Sequence, residues 1–510
     1  MNAVDSLRID RVFLEKAAQR PDAVALVVDD RSWTRADVRR MAESAAAFLR
    51  ERGVGPGDRV LAQYTTDARD LAVAVAASGL GATLIPVPTS LGGLELSHIL
   101  RLAEPVVAIA HGAELPHGTT VPAGVAVVDV ADVTDVTEGR GIEVPCLPVP
   151  TDHTAVIGVT SGSTGLPKGV MHTWSSLHYA ASHAAAVVRV RDGEAICTPG
   201  ASAGAPGYAF FTYLGLAHGA TIVRASRWNA DAVLDLMARH RVVWSMTVVS
   251  MVRMFVDAAR KRPEPPDLSA MRAMCVGGSA IASSLVHEAK DVLGVDAIRM
   301  FGLSECLGFA TMSPADPLEL RAELDGYPYA GTEVHAFDDE RRMLPPGEVG
   351  EAGVRGPSLM QGYLGDTDPD SRMAPGGYFL TGDWIRMTDD GHVKVVGRKK
   401  DLIIRGGYNI DPSEIENLVR ARADVLEASV FGLPDERLGE IVCLCVVPQP
   451  GAAPGLDEIV DDLRARGLST QKLPQVYATR DAFPLSPDGK VLKEVIRREV
   501  QAERETEAAR

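Results

Sequence analysis

The run TSGSTGLPKGV at positions 160–170 is the part of this chain best suited to hold phosphate. Gly162 and Gly165 let the backbone come close to phosphate oxygens. Thr160, Ser161, Ser163 and Thr164 offer hydroxyl donors, and Lys168 adds a positive charge. It is not a Walker loop, because Gly169 follows Lys168 where that motif needs Ser or Thr, and the glycine spacing differs. Read alone, the run could be a flexible Ser/Gly linker. The apolar AVIGV just before it and the Pro-Lys pair inside it favour a strand-flanked phosphate loop.

Further along, MFGLSE (300–305) brings together an aromatic face at Phe301, a hydroxyl at Ser304 and a carboxylate at Glu305. A hard divalent cation carried on a triphosphate prefers oxygen ligands of this kind. YFLTGD (378–383) ends on Asp383, an acceptor that can take two hydroxyl hydrogen bonds when ionised. By themselves, CVGGSA (275–280) is a strand running into a tight turn, GRKKD (397–401) is a solvated basic turn, and Asp383 is a turn aspartate.

The elements around these residues follow from periodicity. Positions 23–28 form a short β-rich run. Thr34 caps a helix that starts at Arg35 and stops at Gly53. DRVLAQY (58–64) reads as a strand, 71–79 as a helix and 82–87 as a strand. This alternation of apolar strands and helices implies a largely parallel sheet covered on both faces. Residues 145–152 are a Pro-rich connector into the phosphate loop. Helices follow at 230–240 and 250–261, with a buried strand VVWSMTVV between them. From about Gly326, short β-runs divided by turns indicate an antiparallel or barrel-like subdomain. Beyond Lys400 a smaller unit appears, with helices at 413–421 and 456–466 and strands near 428–431 and 442–447. The tail QAERETEAAR reads as frayed and solvated.

At 510 residues the chain is too long for one core, so two or more domains are expected. Apolar residues make up 46% and charged residues 24%, which suits a soluble globular protein. The net charge of −16 argues against a nucleic-acid partner, which needs clustered Lys and Arg. Cys146, Cys197, Cys275, Cys306, Cys443 and Cys445 lack zinc spacing and imply no disulfide, which fits a reducing cytoplasm. Cys443 and Cys445 share one face of an apolar strand and read as core thiols. No stretch has the character of a signal peptide or the length of a membrane span.

The phosphate loop resembles the signature of the adenylate-forming superfamily of acyl- and aryl-CoA ligases, peptide-synthetase adenylation domains and firefly-type luciferases. The other stations recur in order: CVGGSA, MFGLSE, YFLTGD, GRKKD, IRGGYN (404–409) and PLSPDGK (484–490). Phe301 stands where that family usually has Tyr. The resemblance implies an α/β protein. Its large N-terminal domain (1–399) would have layered sheets, helices and a β-barrel-like subdomain; its small, mobile α+β C-terminal domain (400–510) would carry a catalytic lysine.

The resemblance also assigns roles. Thr160, Ser161, Gly162, Ser163, Thr164, Gly165 and Lys168 hold the ATP phosphates. Gly278, Ser279, Ala280, Phe301, Gly302 and Ser304 line the adenine and acyl pockets. Asp383 takes the ribose hydroxyls and Arg398 contacts the nucleotide. Glu305, with Thr164, holds Mg²⁺. Lys490 bridges carboxylate and α-phosphate, Lys400 is the hinge, and Gly406 and Gly407 open a tunnel for the pantetheine arm of coenzyme A.

The implied activity converts a carboxylic acid and ATP to an acyl-adenylate and pyrophosphate, then transfers the acyl group to coenzyme A. The acyl pocket would draw on 201–211, 244–251, 278–280 and 302–309. PGASAGAPGYAFF (199–211) carries no acid to hold an ammonium group, which argues against an amino acid substrate. Met246, Met251 and Met254 suit an aryl, alicyclic or medium-chain acid, or are core filling. Alternatives are transfer to a carrier protein's phosphopantetheine arm, a luciferase-type oxygenase, or a nucleotide-binding pseudoenzyme.

Overall fold

The computed structural model describes residues 4–136, 142–160, 166–197, 199, 203–278, 281–401, 403–405, 408–435, 437–485 and 491–508. Two large sheets sandwich the main core. In one, the parallel strands Val24–Val28, Thr221–Arg224, Ala195–Cys197, Trp244–Val248, Ala273–Gly277 and Ala297–Phe301 lie side by side. Short antiparallel strands close both of its edges. In the other, Thr154–Thr160, Thr83–Pro88, Arg59–Tyr64, Val107–Ala110 and Ala126–Asp129 run parallel. The antiparallel Lys168–Thr173 and Gly362–Tyr363 complete it.

The strands are apolar on both faces because both faces are covered. Leu26, Trp244, Cys275 and Ile298 of the first sheet share a core with Val60, Ala62, Leu84 and Val156 of the second. Helices Arg35–Glu51, Ala68–Gly79 and Trp174–Val188 fill the space between them. The outer face of the first sheet buries Val223, Met274 and Val276 under helices Ala230–Arg239, Val249–Arg260 and Ser283–Leu293. Helix Arg35–Glu51 starts as its sequence dictates: the Thr34 hydroxyl accepts from Asp37 N at 3.1 Å, and Asp37 accepts from Thr34 N at 2.8 Å. This reciprocal cap is worth about 1 kcal/mol.

An antiparallel sheet of Glu333–Phe337, Val349–Arg355, Tyr378–Met387 and Val393–Arg398 follows, as the turn-rich texture requires. Beyond it, strands Val425–Asp435 and Gly439–Pro448 pair over their whole length. Val442, Leu444 and Val446 face helices Pro412–Arg420 and Leu456–Ala465, while Cys443 and Cys445 face Ile496 and Val500. The two thiols therefore share one strand face and are fully buried. Among the described residues, the cores built from 403–500 include none from earlier in the chain.

Some expectations are corrected. As far as it is described, the tail is helical rather than frayed: helix Lys493–Ala508 runs into it, and Arg480 holds that helix through Glu499 and Glu503. Its polar composition reflects an exposed face, while Ile496 and Val500 anchor the other. Helix Ala68–Gly79 begins three residues earlier than its apolar pattern, because Asp67 caps it by accepting from Arg69 N. The three-residue strands Ile403–Arg405 and Tyr408–Ile410 are too short to show a period.

Candidate active site

Thr160 and Lys168, which flank the candidate phosphate loop, sit opposite one another in an antiparallel pair. Ser161, Gly162, Ser163, Thr164 and Gly165 lie outside the described residues. Gly169 is glycine because a Cβ there would stand 2.8 Å from the Ile157 side chain and 3.1 Å from Leu364 Cβ. Thr160, Gly278 and Phe301 all lie at or just past the carboxyl ends of parallel strands, where sheets of this type bind ligands.

The Glu305 loop is held from several sides. Phe309 N donates to Phe301 O at 2.9 Å and Leu303 N to Cys306 O at 3.0 Å. A Cβ on Gly302 would lie 2.5 Å from Gly308 N, so the loop closes tightly only with glycine there. Met360 N donates to Glu305 O at 2.8 Å. The Tyr363 hydroxyl donates to Glu305 Oε1 at 2.6 Å, and Lys168 Nζ lies 4.7 Å from the centroid of the same ring. The structure thus brings Lys168 and Glu305 to one aromatic side chain.

His172, which the motifs do not include, lies against the candidate site through Ser304. It is fully buried, with Nε2 2.7 Å from Ser304 O and Nδ1 3.1 Å from the Ser176 hydroxyl. Burial pushes its pKa down to about 4, so the ring is neutral. Facing a carbonyl, Nε2 must carry the proton. A histidine in an apolar strand, four residues before Ser176, is the signal that marks it.

Asp383 is 5% exposed and lies across the sheet from Arg398, whose Nε is 3.2 Å from Oδ1. Burial raises its pKa to about 6; Arg398 pulls it down, and Glu305, Asp401 and Glu351 push it up. Gly382, with φ +81°, turns its amide toward Glu351 Oε1 at 3.1 Å. Neighbouring Lys399 pairs with Asp339 at 2.9 Å and Glu351 at 3.0 Å.

Other candidates are placed less simply. Phe301 is 9% exposed and packs on Phe309, with ring centroids 4.6 Å apart. It is a floor set into the core, not a free-standing stacking face. Gly278 has φ +87°, which only glycine adopts readily. Ser279, Ala280, Gly406, Gly407 and Lys490 lie outside the described residues, and Lys400 is described only as backbone in the turn Lys399–Asp401. In the acyl region, Met246 packs against the main core and Met251 against the outer one. Met254 is 44% exposed and belongs to the surface, not a pocket. Residues Tyr208–Tyr213 form a buried π-helix, an element common at functional sites.

No group of three or more His, Cys, Asp or Glu among the described residues could cage a metal. A lone carboxylate such as Glu305 suits a magnesium ion that keeps phosphate oxygens and water as its other ligands.

The family model for AMP-binding enzymes matches residues 13–364, and the model for the AMP-binding enzyme C-terminal domain matches residues 414–490. The chain belongs to the AMP-binding enzyme family. Among its AMP-binding relatives, a feruloyl-CoA synthase from Amycolatopsis sp is 31% identical over 95% of this chain and 97% of its own. A medium-chain fatty-acid–CoA ligase from Escherichia coli K12 is 27% identical over 95% of this chain and 89% of its own. The ATP-bound structure of MatB from Rhodopseudomonas palustris superposes with a TM-score of 0.87 at 24% identity, over 97% of this chain and 99% of that one.

Proposed function

We propose that this AMP-binding enzyme is an ATP-dependent acid–coenzyme A ligase that forms an acyl-adenylate and then an acyl-CoA. The observation that carries the reading is the joining of Lys168 and Glu305 through Tyr363, with Glu305 close enough to Asp383 for its charge to raise that carboxyl's pKa. These are the charges a magnesium–nucleotide substrate requires, in a chain that aligns nearly end to end with a CoA ligase.

A carboxylate and a triphosphate repel one another, so the site must supply positive charge and fix their approach. In this reading Thr160, Lys168 and the loop between them grip the phosphates, and Asp383 receives the ribose hydroxyls with Arg398 beside it. Gly278 and Phe301 border the adenine pocket. Glu305, with Thr164, would hold Mg²⁺, which neutralises phosphate charge when bound. Lys490 bridges the acid and the α-phosphate.

We assign residues 1–399 to a nucleotide- and acyl-binding domain and 400–510 to a domain that turns about Lys400. The turn withdraws Lys490 and brings in Gly406 and Gly407 to admit a thiol arm, a hinge-type transition. The separate cores beyond residue 403 support this division. The buried π-helix and Met246 carry no charge, which favours an aryl, alicyclic or medium-chain acid. Six free cysteines and no helix long and apolar enough to cross a membrane among the described residues support a cytoplasmic location.

The test is a mass-spectrometric assay with ATP, Mg²⁺ and a panel of aryl, alicyclic and fatty acids, with and without coenzyme A. Acyl-AMP alone, and acyl-CoA plus AMP when the thiol is added, are the expected products. Acyl-AMP that persists beside coenzyme A would move the acceptor to a carrier protein, and oxygen uptake would mark an oxygenase. No AMP from any acid would overturn the reading.

A further inference from the structure

We propose that Tyr363 is a positioning residue that fixes the spacing between the phosphate-gripping lysine and the metal-bearing carboxylate. The inference rests on the assignment of Glu305 to magnesium in the ligase reading.

Residues 358–364 form a strap between two parts of the site. At one end, Leu307 N donates to Ser358 O at 3.3 Å, Cys306 bridges Leu359, and Met360 N donates to Glu305 O at 2.8 Å. At the other, Gln361 N donates to Met171 O at 2.9 Å and Leu364 N to Gly169 O at 2.8 Å. Tyr363 pairs with Val170 in this register. The missing Cβ of Gly169 lets Leu364 sit close, so the strap cannot slide along the Lys168–Thr173 strand without a clash.

Tyr363 is therefore locked to the Lys168 strand through its backbone and to Glu305 through its hydroxyl, at 2.6 Å. Its ring stands under the Lys168 ammonium, 4.7 Å from centroid to Nζ. A cation rests on the aromatic face and an anion on the hydroxyl of one side chain. Held by one side chain in this way, the two charges keep a fixed relation to each other. The hydroxyl also commits Oε1, which leaves Oε2 as the oxygen not taken by this hydrogen bond.

The experiment is ATP binding by calorimetry across a magnesium titration, for the full chain, Tyr363→Phe, Tyr363→Leu and Glu305→Gln. No acid or turnover is needed. Wild-type affinity should rise with magnesium, and Glu305→Gln should flatten that rise. Tyr363→Phe keeps the ring and loses one hydrogen bond to a charged group. It should need about tenfold more magnesium for the same gain and should reach wild-type affinity at saturation. Tyr363→Leu, which also loses the ring, should stay weaker at every magnesium concentration. A Tyr363→Phe titration superimposed on wild type, or lowered equally at all magnesium concentrations, would overturn the positioning role while leaving the ligase reading intact. Magnesium-independent binding by the wild type would overturn both.

Discussion

Replacing Asp383 with Asn should stabilise the nucleotide-free protein and weaken its hold on nucleotide. The carboxyl is buried and its pKa is raised from 3.8 to about 6. A pKa raised on folding means that the folded state prefers the protonated acid. Relative to the unfolded chain, that preference contributes full stability below about pH 4 and loses it as pH rises through about 6. At pH 7 ionised Asp383 therefore costs about 3 kcal/mol, from about two units at about 1.4 kcal/mol each. Asn is neutral at every pH, and Arg398, half exposed, can turn to water when its partner goes. Urea unfolding of the apo protein should show Asp383→Asn gaining up to that amount at pH 7 and nothing at pH 4. ATP affinity should fall about tenfold or more with the lost charge-assisted hydrogen bonds. Wild-type affinity should itself decline below about pH 6, and the variant's should not. An Asp383→Asn protein less stable than wild type at pH 7 would refute the reasoning, because the burial cost would then be repaid within the apo fold.

His172→Ala should leave the buried Ser304 carbonyl unpaired and lower adenylation rates by about tenfold or more. Because its pKa is about 4, the wild-type rate should show no His172 titration between pH 6 and 8; a variant that alters the profile there would contradict a neutral ring. Lys490→Ala should abolish acyl-AMP formation and spare thioester formation from supplied acyl-AMP, read by separate half-reaction assays; equal loss in both would count against its role. Lys400→Pro should leave pyrophosphate release largely intact and slow the thiol step. An unchanged overall rate would exclude hinge motion at that residue.

The helix Arg35–Glu51 and the paired faces of Cys443 and Cys445 were legible because each depends on residues within one or two turns of themselves. The same locality let the run at 160–168 suggest a phosphate loop, since closely spaced hydroxyls, glycines and a lysine carry their own chemistry. The π-helix Tyr208–Tyr213 gave no such signal, because its widened turn is set by what packs around it. Met254 followed an apolar pattern and still lies at the surface, since a helix's period says which residues share a face and not how far that face is covered.

The sequence by itself determined many of the strands and helices, the chemical types at each station and the family. Tertiary structure alone decided what those stations touch. Tyr363 reaches Glu305 across 58 positions, and His172 reaches Ser304 across 132. Neither pair has a local pattern, because both contacts exist only once separate strands have been laid side by side. The rise in the Asp383 pKa has the same origin, since an aspartate in a turn motif becomes a costly buried charge only when the sheets close around it.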